Sequence, residues 1–271
     1  MHPFNNLFPP SSSFHNASGN IPYRMTNDYM FRAILQTNNF ALKGLICSLL
    51  HLSEEEIISV TITNPIELGK YIDEKDFQLD IRVCLNNTIT INLEMQVSNQ
   101  YNWPERSLCY LCRTFSSLEK GENYRNKKPA IHIGFLDFSL PNFPSEFYST
   151  YYMMNSKNHH IYSDKFRLSV VNLTQIKLAT KTDKAYHIDE WASAFKASTW
   201  EELKMLSAKN PYLSEASNTL YQLSAEEKIR LQCEAREDYE RIQSGLKEMM
   251  QEKDNEIARL KTELHNLRHC T

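Results

Sequence analysis

Two stretches of the chain alternate, residue by residue, between apolar and polar side chains. In residues 77–85, Phe77, Leu79, Ile81, Val83 and Leu85 take every second place, with Gln78, Asp80 and Arg82 between them. Residues 89–97 repeat the pattern, with Ile89, Ile91, Leu93, Met95 and Val97 set against Thr90, Asn92, Glu94 and Gln96. A period of two predicts strands with one buried face. Directly opposed residues of an antiparallel pair project to the same face. A two-residue turn at Asn86-Asn87 sets Val83 opposite Thr90 and mixes the faces. A three-residue turn, Asn86-Asn87-Thr88, sets Val83 opposite Ile91 and Asp80 opposite Glu94. Asparagine tolerates the left-handed backbone that such turns need. The hydrophobic register thus predicts two carboxylates side by side, with Gln96 one step along the same face. Adjacent carboxylates repel unless a proton or a cation lies between them, and a divalent metal with oxygen ligands meets that need.

The pattern elsewhere predicts the frame around this hairpin. Asn27 or Asp28 can cap a helix running to about His51, with Phe31, Ile34, Leu35, Leu45, Ile46, Leu49 and Leu50 on its buried side. Residues 57–63 read as a short strand and residues 64–76 as a charged connection. Pro104 opens a helix that runs to about Lys120 and stops at Gly121. Its apolar stripe is Leu108, Leu111, Phe115 and Leu118, and a polar row of Arg106, Tyr110 and Arg113 lies on another side. Residues 130–138 and 166–173 are apolar strands, and residues 186–223 are short helices around Trp191, Phe195, Trp200, Leu203 and Leu206. This order points to an α/β core with a mixed sheet.

The ends differ in character. Residues 1–22 are rich in Pro, Ser and Asn and read as a disordered tail. Residues 23–223 form the expected folded domain, and residues 224–271 a charged C-terminal helix. There Met250, Ile257 and Leu264 recur every seventh residue, interleaved with Leu246, Lys253, Leu260 and Leu267. That seam reads either as a solvated helix or as a parallel coiled coil joining two copies of the chain.

Composition narrows the function. The 271 residues carry a net charge of −3, so any nucleic-acid binding must come from a local basic patch. Only six glycines are present, and no dinucleotide or P-loop signature occurs. No apolar run is long enough to span a bilayer, and the first residues lack the features of a signal peptide. The cytoplasm, with the six cysteines reduced, is the expected compartment. Cys109 and Cys112 form a lone C-x2-C pair inside a predicted helix, two ligands short of a zinc site.

One family shares these residues in this order: Asn27-Asp28 with Phe31, Leu79-Asp80-Ile81, Leu93-Glu94-Met95-Gln96, then Arg106, Tyr110, Gly121-Glu122 and Tyr124 ahead of an apolar strand. The set resembles the PD-(D/E)xK nuclease family transposases, the recombination-promoting nucleases of bacteria, from about Thr26 to Leu223. The resemblance implies a restriction-endonuclease-like αβββαβ core and metal-dependent cleavage of DNA. It implies that Asp80 and Glu94 hold Mg²⁺ or Mn²⁺, with the main-chain carbonyl of Met95 completing the set. It places Asp28 where an acidic residue supports a second metal or its water. Gln96 stands where the wider superfamily has lysine, and no proline precedes Asp80. A glutamine can orient a water but cannot act as an ammonium, which leaves activation of water to the cation. Arg106 and Arg113 are the candidates to hold phosphate, and Tyr110 and Tyr124 the candidates to line the cleft.

Each assignment has a plainer counterpart. Asp80 and Glu94 can be solvent-facing strand residues, Asp28 a helix cap, and Arg106 a surface ion-pair partner of Glu105 or Glu119. Two functions follow: a Mg²⁺-dependent DNA endonuclease linked to recombination or mobile elements, or an inactive relative that keeps the fold and binds a protein partner through its terminal helix.

Overall fold

The structure, a computed structural model, describes residues 14–66, 68, 80–116 and 123–269. The expected charged connection beyond Ile66, the first residues of the hairpin, the Gly121-Glu122 pair and Cys270 therefore lie almost wholly outside the described residues.

Helices α1 (Asp28–Thr37) and α2 (Asn39–Leu50) come first, followed by strands β1 (Val60–Ile62), β2 (Ile81–Leu85) and β3 (Ile89–Gln96). Helix α3 (Trp103–Ser116) then crosses to β4 (Ala130–Leu136), and β5 (Tyr148–Tyr152) and β6 (Phe166–Asn172) complete the sheet. Helices α4 (Lys181–Ala185), α5 (Ile188–Lys196), α6 (Trp200–Ser207), α7 (Pro211–Ala225) and α8 (Glu227–His269) end the chain. The six strands form one mixed sheet in the order β1-β2-β3-β4-β6-β5. β3, β4 and β6 are mutually parallel and the other pairings antiparallel. The α/β architecture and the αβββαβ succession are those expected from the sequence.

The hairpin adopts the register that parity demands, with Val83 opposite Ile91 and Leu85 opposite Ile89. Asn86 and Asn87 both take left-handed backbone, at φ 50° and 57°, and the Thr88 N–H closes the turn onto the Leu85 carbonyl. Ile81, Val83, Leu85, Ile91, Leu93 and Met95 then face one continuous core with Ile131, Ile133, Phe135 and side chains of α1, α2, α5, α6 and α7.

Three expectations are corrected. The single helix to His51 is two helices, because Asn38 leaves helical backbone and its side chain accepts from Ala41 N–H, capping α2 while its own N–H closes α1 onto Ile34. The segment from Phe14 onward is not a loose tail: Phe14 and Ile21 are buried, Ile21 N–H bonds the Ser198 carbonyl, and Gly19 N–H bonds the Glu201 carboxylate. Strand β5 was not foreseen. It is an edge strand with no buried residue in its pattern, so it lacks the alternation that betrays a half-buried strand.

The chain divides into two compact units, one ending at Cys233 and the other beginning at Glu234. The second is the distal part of α8, with Leu246, Met250, Ile257 and Leu260 all exposed. Among the described residues no helix is long and apolar enough to cross a membrane.

Candidate active site

The polar face of the hairpin is covered rather than solvated. Helix α3 packs over β3, β4 and β6 on that side. Its buried residues are Trp103, Ser107, Leu111 and Thr114, while Leu108 of the expected apolar stripe is exposed. The helix is thus rotated from its predicted setting. Gly134 explains the rotation: a Cβ there would lie 2.1 Å from the Trp103 ring, so only glycine admits the indole against the sheet. Small polar residues, Ser107 and Thr114, then face a sheet surface that is itself polar.

Asp80, Asn92, Glu94 and Gln96 are all buried on this face, at 7%, 1%, 5% and 7% exposure. The reading of the two carboxylates as solvent-facing residues does not hold. Ile81 pairs with Leu93, so Asp80 and Glu94 are the next opposed positions, and Glu94 feels the charge of Asp80. Burial pushes the Glu94 carboxyl up to about 7, against the opposing pull of Arg106. Burial also raises Asp80, with Arg82, Arg32 and Arg106 pulling the other way.

Arg106 reaches back from the first turns of α3. Its Nε donates to Glu94 Oε1 at 2.9 Å, and its Nη2 lies 2.7 Å from the same oxygen. Among the described residues the acid that pairs with Arg106 is Glu94; Glu119 of the expected pairing lies outside them. Glu94 Oε2 and Gln96 Oε1 are buried with no hydrogen-bond partner among the described residues. The Gln96 amide donates to the Ser98 carbonyl at 3.2 Å. Gln96 gives its own carbonyl to Asp137 N–H, on the β4 side. Main-chain groups alternate along a strand, so the Met95 carbonyl points the other way, toward the side that carries Asp80.

The main chain of Asp80 is clamped by residues that the sequence reading did not single out. Arg32, on α1 and fully buried, donates to the carbonyls of Asp80 and Asn64. Asn64 donates to the Asp80 carbonyl at 2.9 Å and accepts from Arg82 N–H at 2.7 Å. A charged residue amid the apolar run Phe31–Leu35 was the available signal for Arg32. Asp28 is not the cap of α1: Asn27 accepts from Met30 N–H at 3.1 Å, and the charge of Asp28 is felt at Glu94.

On α3, the rings and cations stack. Arg106 and Arg113 lie 5.4 and 5.8 Å from the Tyr110 ring centroid, and Tyr110 stacks on His132 at 5.8 Å. Burial raises the Tyr110 hydroxyl above its ordinary range. Tyr124 stands apart from this group, 83% exposed on a short turn before β4. His132, on β4, is the residue at the heart of the site that sequence reasoning missed. Its ring lies between Trp103 and Tyr110, and burial pushes it down to about 3, so it is neutral. The signal was parity: in Ala130–Leu136 the small and polar places, Ala130, His132 and Gly134, alternate with Ile131, Ile133 and Phe135.

Among the described residues no three His, Cys, Asp or Glu side chains form a preformed metal cage. The donor set fits a hard divalent cation nonetheless: two adjacent carboxylates, one with an oxygen buried and unsatisfied, and a carbonyl turned to the same side. Mg²⁺ is held in this manner, by one or two carboxylates with water and phosphate completing its shell. No curated protein and no solved structure matches this chain. The family model described as PD-(D/E)XK nuclease family transposase matches residues 25–249, a span that takes in Asp28, Asp80, Glu94, Gln96 and Arg106. The chain therefore belongs to the PD-(D/E)XK nuclease family transposases, with a nuclease- or transposase-related role.

Proposed function

We propose that the protein is a divalent-metal-dependent DNA endonuclease acting in recombination or on mobile elements. The observation that carries this reading is the Asp80–Glu94 pair, buried side by side with Glu94 Oε2 unsatisfied and Arg106 at its edge. Asp80, Glu94 and the Met95 carbonyl would hold Mg²⁺ or Mn²⁺, with Asp28 adding negative charge nearby. When bound, the cation supplies Lewis-acid polarisation of the phosphate and a lowered pKa for water. Gln96 would orient a water through its side-chain Oε1, which has no hydrogen-bond partner among the described residues. Arg106 exchanges its carboxylate for a phosphate oxygen, and Arg113, exposed about two helical turns on, holds a neighbouring phosphate. Tyr110 keeps both guanidinium groups stacked; Tyr124 belongs to the outer surface over which DNA can run.

Supercoiled plasmid incubated with the protein and Mg²⁺ tests the proposal. Wild type should nick it, EDTA should stop the reaction, and Asp80→Ala and Glu94→Ala should abolish it. Equal nicking by all three proteins removes the proposal.

The distal part of α8 supports a further element of this reading, a homodimer. Its exposed Met250 and Ile257 are seven residues apart, and its exposed Leu246 and Leu260 fourteen. In a parallel pair Glu256 meets Lys261 of the second copy, whereas an antiparallel pair sets Glu256 against Glu263. Sedimentation of wild type and Ile257→Glu decides it: a dimer for the first and a monomer for the second. If instead Mg²⁺ titrates identically into wild type and Glu94→Ala, the non-catalytic binding module is the better reading.

A further inference from the structure

His132 is the one buried titratable ring in the site for which the nuclease reading has no use. It lies opposite Asn92 across the parallel β3–β4 ladder, and the Asn92 amide nitrogen is 3.0 Å from its Nδ1. An amide N–H can bond that nitrogen only if Nδ1 carries no proton. With Nδ1 accepting from this amide, the proton that the imidazole retains sits on Nε2. Nε2 lies 3.5 Å from Glu94 Oε2, and among the described residues neither atom has a hydrogen-bond partner. The opposite tautomer turns a lone pair of the ring onto a carboxylate oxygen, which is repulsive unless a proton or cation lies between them. Trp103 and Tyr110 hold the ring in its plane, at centroid distances of 5.7 and 5.8 Å.

We propose that His132 is a positioning residue, held by Asn92 as the Nε2–H tautomer, that donates to Glu94 Oε2 and orients this carboxylate for a divalent cation. Arg106 holds one oxygen of Glu94 and His132 aims the other. The inference rests on the nuclease reading for the cation but not for the tautomer. Donors of this kind behind a metal-binding carboxylate are worth about 10- to 100-fold in metal affinity.

The test has two arms. Imidazole ¹⁵N–¹H correlation spectra of EDTA-treated protein at neutral pH report the tautomer, with the His132 signals assigned by their loss in His132→Gln. The expected result is a bare Nδ1 and a protonated Nε2, reversed in Asn92→Asp. A protonated Nδ1 in wild type overturns the proposal. In the second arm Mn²⁺ is titrated calorimetrically into variants whose folding is checked by circular dichroism. His132→Gln, whose amide restores a donor near the Nε2 position, should bind within about threefold of wild type, and His132→Leu should bind about 10- to 100-fold more weakly. Equal affinity of His132→Leu and wild type overturns the proposal even if both fold. If wild type takes up no Mn²⁺, the nuclease reading falls, and the spectra alone decide the placement of His132.

Discussion

Arg106 places Nε and Nη2 on the same oxygen of Glu94, at 2.9 and 2.7 Å, and the other oxygen of that carboxylate is buried with no hydrogen bond among the described residues. A cation is thus bound to half of the carboxylate, and the remaining half is available to another positive group. The same guanidinium is the site's candidate for phosphate, so the pair joins the two components that a nuclease must bring together.

Removing the guanidinium leaves a buried carboxylate without its partner. Arg106→Ala should lower the unfolding free energy by about 1–3 kcal/mol at pH 8, below the figure for a fully buried pair because the arginine side chain is partly exposed. The loss should shrink in a Glu94→Gln background, where no charge is left behind. Urea unfolding of the four proteins of this double-mutant cycle measures the coupling.

The carboxyl of Glu94, at about 7, sits above its ordinary value of 4.5 because of burial. The folded state therefore holds this proton more tightly than the unfolded state does. Its stabilising contribution is complete below about pH 4.5 and is lost as the pH rises through about 7, by at most about 3 kcal/mol. In EDTA, wild type should lose more stability between pH 5 and pH 8 than Glu94→Gln does. Parallel slopes for the two proteins in denaturant titrations would show that Glu94 ionises normally.

Gly134 and Trp103 are predicted to be coupled. The Cβ of Gly134→Ala lies 2.1 Å from the indole, so the variant should be destabilised by about 1–3 kcal/mol and should shift the tryptophan fluorescence. In a Trp103→Leu background the same alanine should cost far less. Thermal unfolding of the single and double variants reads the difference.

Asn86 and Asn87 share a left-handed backbone but not a role. Asn86 Oδ1 accepts from Ile58 and Ser59 N–H at 2.8 and 3.0 Å, and its amide donates to the Glu56 carbonyl at 2.8 Å. Asn86→Gly should therefore cost about 1–3 kcal/mol. Asn87 is exposed at φ 57°, and Asn87→Gly should be neutral or stabilising by less than about 1 kcal/mol. Equal losses at the two positions in chemical denaturation would contradict this division.

The amino-acid sequence by itself determined the strand parity, the three-residue turn and the pairing that sets Asp80 beside Glu94. Each is local: side chains alternate every residue, and a short turn carries that alternation from one strand to the next without slack. The succession of elements was legible for the same reason, from Pro104 opening α3 to the apolar runs of β4 and β6. The tertiary structure alone decided that the polar face is roofed, that Arg32 clamps Asp80 from 48 residues away, and that His132 meets Asn92 across a separation of 40. β3 and β4 run parallel and are joined through a helix, so no turn transmits register between them. Packing selects it, here through an indole that fits the sheet at Gly134. That contact fixes the helix carrying Arg106 and Tyr110 over the carboxylates, and it belongs to no single stretch of the chain.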